Sequence, residues 1–315
     1  MNDKDLTVIV ATCNRSQSLE HLLQGFFECE KPVDLDWELL FVDNNSTDNT
    51  SEILTLAAQR LSYVRSVFEG SQGVSHARNR GAIEARGRFI FFMDDDASPS
   101  LTFLAGIENA LKKYPEIKCF GAKVISHFPD KPKWFAIKGP YALMGILGIY
   151  DLGDTDKILK VDDPIPIGSG ILIERDYFIE KGKFNTILGV NATSKYPQRG
   201  EDTDFMEQLM ISGVTICYLP GPLVNHYPDL NRYDLAHLKR MFIGSGIGMA
   251  RKHKSTGKTI FGVPRYLYRK LLEYIFFICV HFLVKNDEAC VYYKTRYWIT
   301  LGMITTLLGL HPDSD

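Results

Sequence analysis

The 315 residues, 45% of them hydrophobic and 23% charged, are enough for one large or two small packed domains whose cores need no disulfide support. The net charge of −2 is unevenly spread: residues 1–230 carry 23 basic and 32 acidic side chains, and residues 231–315 carry 13 and 6. An acidic main body argues against a grip on nucleic acid, whereas a basic, aromatic tail suits either an anionic lipid surface or a solvated face.

In chain order, Met1 to Asp5 is polar and leads straight into an apolar run. It lacks the basic start and small-residue cleavage site of a secretion signal, so a cytoplasmic protein is expected. The six cysteines (Cys13, Cys29, Cys119, Cys217, Cys279, Cys290) form no C-x-x-C pair, which suits a reducing compartment. On that reading the N-x-[ST] triplets at Asn44, Asn45, Asn49 and Asn191 are coincidental. Up to about residue 126, short β-branched or aromatic runs alternate with helical stretches, the pattern of β-α units around a mainly parallel sheet. Strands are predicted at Leu6 to Ala11, Trp37 to Val42, Tyr63 to Phe68 and Phe89 to Met93. A helix capped by Ser16 should run from Gln17 to about Phe27, with others starting near Thr50, Val74 and Pro99.

From Phe128 to Pro166 the chain is rich in Pro, Gly and aromatics without a firm period, which predicts a long working loop. A strand at Ile167 to Ile173, helices at Arg175 to Glu180 and Glu201 to Ser212, and a strand at Thr215 to Leu219 should follow. The domain boundary is placed at 230/231. Beyond it, Asp234 to Leu310 is helical in character and holds two apolar stretches, Tyr274 to Val284 and Tyr297 to Leu310. Both fall short of the ~20 residues of a crossing helix. They read either as interfacial amphipathic helices, giving a peripheral contact with the inner face of a membrane, or as core helices.

The chemistry concentrates in acids. Asp94, Asp95 and Asp96 directly follow the strand Phe89 to Met93, at the sheet end where open α/β folds bind ligands. Three adjacent carboxylates repel one another unless a cation or hydrogen-bond donors lie among them, and a divalent cation with substrate phosphates meets that need. The alternative is a solvated acidic loop that starts a helix at Ser98-Pro99. A second cluster, Glu201, Asp202 and Asp204, precedes another helix. It reads as the site of a general base or as a helix start enriched in acids to suit the dipole.

Four segments in order, VIVATCNRSQSL (8–19), FVDNNSTDNT (41–50), GVSHARNRGAIEARGRFIFFMDDDASP (73–99) and RGEDTDF (199–205), resemble the motifs of family 2 glycosyltransferases of GT-A fold. The resemblance covers roughly residues 6–227. It implies an inverting transferase that moves a sugar from a UDP- or GDP-type donor to the hydroxyl of a saccharide or glycolipid acceptor. It also implies donor contacts at Thr12, Asn14, Arg15, Asp43, Asn44, Arg78, Asp94 and Asp95, with Arg78 facing the diphosphate. Mn²⁺ or Mg²⁺ is implied on Asp96 and Asp94, with His226 as a further ligand. Asp202 matches the family's base and Glu201 its support. Gly170 departs from the pattern, since Asn often stands there.

Two other classes are kept open. An aspartyl phosphohydrolase built on Asp94 and Asp96 explains one of the four motifs, and a non-catalytic sugar-nucleotide-binding protein would keep the fold without turnover. A dinucleotide-binding oxidoreductase is disfavoured, because Gly244-Ser-Gly-Ile-Gly248 has the wrong spacing and comes late in the chain.

Overall fold

The computed structural model describes residues 3–128, 131–136, 138–143, 145, 148–190, 195–229, 233–252 and 258–310. Asn191 therefore lies outside the described residues, as do parts of the segment read as a working loop. The chain groups into two units, one of Met1–His127, Gly148–Thr186 and Glu201–Pro228, the other of Phe128–Leu147, Ile187–Gly200 and Asp229–Asp315. Both units are discontinuous in sequence, and two segments before residue 201 belong to the second.

The first unit is built on a nine-stranded sheet. Strands β1 (Lys4–Thr12), β2 (Trp37–Asp43), β3 (Val64–Phe68) and β4 (Gly87–Asp94) pair in parallel in the order β3-β2-β1-β4. Leu6, Val8, Ile9 and Val10 of β1 and Leu39 to Val42 of β2 have no accessible surface, the burial on both faces that a parallel strand flanked by helices requires. Register then aligns the site: Thr12 lies beside Asp43, and Ala11 beside Asp94.

Alternate strand positions feed two cores. Val8, Val10, Leu39 and Phe41 pack with Leu19, Leu22 and Phe26 of α1 (Ser16–Glu28), with Leu54 of α2 (Thr50–Arg60), and with Phe103 and Ile107 of α4 (Phe103–Lys113). On the opposite face, Ile9 and Val42 pack with Ala77 and Ala82 of α3 (Val74–Glu84), Phe178 of α5 (Arg175–Glu180), and Phe205, Met206 and Leu209 of α6 (Glu201–Ile211). Helix α3 lies close on the sheet because its facing residues are small. A Cβ on Gly81 would come within 2.4 Å of Ile9 Cγ2 and 3.1 Å of Val42 Cγ2.

Beyond β4 the sheet is mixed and departs from the sequence expectations. The antiparallel β8 (Ile171–Glu174) joins β4 to β6 (Cys119–Ser126), which runs parallel to β9 (Ile216–His226). Strand β6 was not foreseen, and β9 runs seven residues past the expected end at Leu219. The start of a helix at Pro99 is also corrected, because Ala97–Pro99 form edge strand β5 against Val224 to His226. Proline is tolerated at a sheet edge, where its missing N–H is not needed by the ladder. In place of a strand from Ile167, Gly168–Gly170 make a 3₁₀ turn before β8. Ser16 is the first residue of α1 rather than its cap, and its N–H donates to Asp48 Oδ2. The segment read as a loop also contributes β7 (Lys157–Ile158), antiparallel to β9.

The second unit holds α7 (Leu235–Lys252), a hairpin of β10 (Thr259–Ile260) and β11 (Val263–Pro264), α8 (Arg265–Leu283) and α9 (Asp287–Leu307). The glycines once compared with a dinucleotide loop lie inside α7. A Cβ on Gly246 would lie 2.1 Å from the Ile299 carbonyl oxygen, and one on Gly302 2.3 Å from that of Ile243, so α7 and α9 meet backbone to backbone. The two apolar stretches separate here. The second supplies buried Trp298 and Ile304, whereas Phe276, Phe282 and Leu283 of the first are exposed. No helix among the described residues is long and apolar enough to cross a membrane.

One buried charge braces the first sheet. Glu38 accepts from Thr7 Oγ1 (2.8 Å), Arg65 Nε (2.8 Å) and the Arg86 amide (2.9 Å). Burial alone would raise its pKa, but these donors prevail and hold it below the ordinary glutamate value. A depressed carboxylate stabilises the fold above its unfolded pKa of about 4.3 and loses that contribution as pH falls through the folded value. Glu38→Gln should therefore show a flatter fall of urea-unfolding stability between pH 6 and 3 than the parent. Glu38→Ala should lose about 3 kcal/mol at pH 7, because Arg65 is left without its buried partner.

Candidate active site

The acidic turn begins where β4 ends. Asp94 is half-buried, Asp95 mostly buried and Asp96 buried. Burial, together with the charges of Asp96 and Asp94, pushes the Asp95 carboxyl up to about 7 against the opposing effect of Arg15, whose Nε lies 3.6 Å away. The edge pairing of β5 with β9 then brings in a residue 130 positions later: His226 Nε2 is 3.1 Å from Asp96 Oδ1. Asp94, Asp96 and His226 each offer one ligand atom, all within 4.8 Å of one another. Two carboxylates and an imidazole fit a divalent ion, with positions left for phosphate oxygens.

Arg78 joins this cluster to the second one. It sits in the first turns of α3, is 4% exposed, and donates through Nη2 to Asp94 Oδ1 (2.6 Å) and through Nη1 to Glu201 Oε1 (2.8 Å). Its guanidinium is therefore held between two carboxylates. Asp202, next to Glu201, heads α6 and accepts from the Gly168 and Thr203 amides, both at 2.7 Å. The Gly168–Gly170 turn threads between the clusters: the Asp94 amide donates to Ser169 Oγ (3.0 Å), and a Cβ on Gly168 would meet both Arg78 Nη atoms at 2.7 Å. A Cβ on Gly170 would lie 2.9 Å from the Ala122 carbonyl oxygen and 3.0 Å from Val124 Cγ2. Packing against β6 explains why a larger residue is absent there.

The remaining expected donor residues line the ends of β1 and β2. Asp43 accepts from the Ser46 amide and the Ser51 hydroxyl. The Asn44 side chain donates to the Glu69 and Ser71 carbonyls and accepts from the Gly73 amide (2.7 Å), so it ties down the loop that leads into α3. Asn14, at φ +54°, accepts from the Thr47 and Asp48 amides. Thr12 is buried and Arg15 half-buried. These side chains organise the loops around the cleft, and the sequence reading did not anticipate how much of their bonding capacity is used internally. Gly168, Ser169 and Ser126 were not singled out. A 3₁₀ turn within an apolar run and a serine ending an unread strand leave no motif to find.

A sheet of this order, with an acidic turn after β4 and a metal-competent triad beside it, defines a GT-A nucleotide-sugar fold. The mannosyltransferase of Pyrobaculum calidifontis in complex with GDP-Man and Mn²⁺ has the same fold, with a TM-score of 0.61 at 18% identity, covering 99% of this chain and 88% of that one. The family model of glycosyl transferase family 2 matches residues 7–180, more than half of the chain. The protein belongs to glycosyl transferase family 2. Among its curated relatives, an uncharacterized glycosyltransferase of Rickettsia felis is 30% identical over 241 residues, covering 75% of this chain and 36% of that protein. The glucosyl-dolichyl phosphate glucuronosyltransferase of Haloferax volcanii is 25% identical over 160 residues, covering 50% and 48%. The matches thus span between about a third and a half of these relatives' lengths.

The double engagement of Arg78 is testable. Arg78→Met takes the buried guanidinium away from both Asp94 and Glu201, for an expected loss of about 3 kcal/mol in urea unfolding. Gly168→Ala drives a methyl group onto the guanidinium and should cost about 1–3 kcal/mol by the same measurement. Equal stability of all three proteins would show that the bridge carries no weight.

Proposed function

We propose that this protein is an inverting glycosyltransferase that moves a sugar from a UDP- or GDP-type donor to a hydroxyl of a saccharide or glycolipid acceptor in polysaccharide or glycoconjugate biosynthesis. The observation that carries the reading is the Arg78 bridge, which sets the acids of the triad and the acids at the head of α6 on one guanidinium. Four motifs find a place in this reading, whereas an aspartyl phosphohydrolase accounts for one.

In this reading the ends of β1 and β2, with Thr12, Asn14, Arg15, Asp43 and Asn44, frame the nucleotide, Asp94 lies near the donor ribose, and Asp95 belongs to the same donor site. Asp94, Asp96 and His226 would hold Mn²⁺ or Mg²⁺, whose chemistry when bound is to offset charge on the departing diphosphate. Asp202 takes the proton of the acceptor hydroxyl while that oxygen attacks the anomeric carbon and the bond to the diphosphate oxygen breaks. A single displacement of this kind inverts the anomeric centre. Glu201 works through Arg78, which fixes the head of α6 and so the position of its neighbour. An intact Asp202 argues against a non-catalytic donor-binding protein, which needs no base.

Purified protein should gain thermal stability from a nucleoside diphosphate with Mn²⁺. Asp96→Ala should lose that gain, whereas Asp202→Asn should keep it and lose transfer by 100-fold or more, on the order expected for removing a general base. Full transfer by Asp202→Asn removes the base assignment. Retention of the donor's anomeric configuration in the product, read by NMR, removes the single displacement.

We also place the protein at the inner face of a membrane through α8. Leu272 (68% exposed), Phe276 (62%) and Leu283 (78%) recur at helical spacing beyond exposed Arg265 and Arg269, the pattern of an interfacial helix. Vesicles containing anionic lipid should sediment the parent protein but not the double variant Phe276→Glu, Leu283→Glu. Equal sedimentation of both would leave α8 without this role.

A further inference from the structure

The metal-competent triad includes one ligand whose orientation is set from behind. His226 ends β9 opposite Ser126, the last residue of β6, and neighbouring strands lie ~4.8 Å apart. Its Nδ1 is 2.9 Å from Ser126 Oγ, while Nε2 points at Asp96. The ring is 2% exposed. Gly148, at φ +62°, covers the Nδ1 edge: a Cβ there would lie 3.1 Å from His226 Cε1 and 3.2 Å from Nδ1.

The register behind this pairing is unusual. Strands β6 and β9 match Ala122 with Leu219, and then resume at Val124 with Val224. One residue on β6 thus spans four on β9, Pro220 to Leu223. The irregularity is held from outside by α4, since a Cβ on Gly106 would lie 2.7 Å from Gly221 C and Pro222 N. Without this slip, Ser126 would not stand opposite His226.

We propose that Ser126 is a positioning residue for metal binding: its hydroxyl fixes the plane and tautomer of His226, so that Nε2 presents a lone pair to the ion held with Asp94 and Asp96. The inference rests on the reading of that triad as a divalent-cation site. An imidazole that binds metal through Nε2 must carry its proton on Nδ1, and that N–H needs an acceptor. Ser126 Oγ supplies one. A hydroxyl also donates, so the same contact survives when no ion is bound and Nε2–H turns to Asp96. A carboxylate or backbone carbonyl at this place accepts only, and would not serve the second arrangement. Gly148, having no side chain, leaves this edge of the ring the space that a Cβ would take.

The test is Mn²⁺ binding to the purified full chain without donor or acceptor, followed by the loss of the free-ion EPR signal. Ser126→Ala should weaken Mn²⁺ binding about 10- to 100-fold and diminish the nitrogen hyperfine coupling of the bound ion. Ser126→Thr, which keeps the hydroxyl, should bind within about threefold of the parent. If Ser126→Ala matches the parent while His226→Ala and Asp96→Ala both lose the ion, the positioning role is overturned and the cation site stands. If Asp96→Ala also binds like the parent, the cation reading itself fails. Should Ser126→Ala prove unfolded by circular dichroism, Ser126→Cys replaces it: the weaker acceptor sulfur predicts an affinity below that of Ser126→Thr, and an affinity equal to the parent's counts against the proposal.

Discussion

The arrangement of this site depends on one buried cation. Two carboxylates from distant parts of the sequence, Asp94 and Glu201, would repel each other if brought together alone, and each is costly to bury without a partner. Arg78 satisfies both with separate nitrogens of one planar group, a geometry that lysine with its single ammonium cannot reproduce. The small residues of α3 let that helix sit low on the sheet, the Gly168 turn lies against the guanidinium, and α6 is pinned at its first residue. Without the cation, the link between the two acidic loops would fall to the Gly168–Gly170 turn, which bonds the Asp94 amide and the Asp202 carboxylate.

The division of labour among the three adjacent aspartates follows from what each one faces. Asp94 is held by Arg78, Asp96 by His226, and Asp95 looks toward Arg15 with its proton retained to near neutrality by burial and by its two neighbours. Repulsion within the triplet is thus relieved in three directions rather than by a single counter-ion. That leaves Asp94 and Asp96 as the pair aimed at a common point with the imidazole.

Much of this was legible in the sequence where the signal was local. β1, β2 and β4 are apolar runs followed by polar residues that chemistry requires, so their positions and the acidic turn could be read directly. The second half of the sheet was harder. β6 carries Gly121 and Lys123 within its apolar run, β5 has three residues and includes Pro99, and β9 contains Pro220, Gly221 and Pro222, which read as a stop although the strand continues beyond them. The partnership of Arg78 with Glu201 spans 123 residues and leaves no trace in spacing. Gly170, which departs from the family pattern, has the backbone of β6 immediately behind it, a contact that the sequence does not show.

The seam between α7 and α9 has an implication for how this unit can vary. Gly246 rests on the backbone of α9 and Gly302 on that of α7, so at this crossing no side chain lies between the helices to absorb a change in volume. A single enlargement on either helix has to be met by a shift of the whole neighbouring rod, and two complementary reductions cannot offset it because nothing remains to be reduced. Drift in this region is therefore confined to the outer faces of the helices, and an extended insertion would be tolerated sooner in the hairpin before α8 than one added methyl group in the seam.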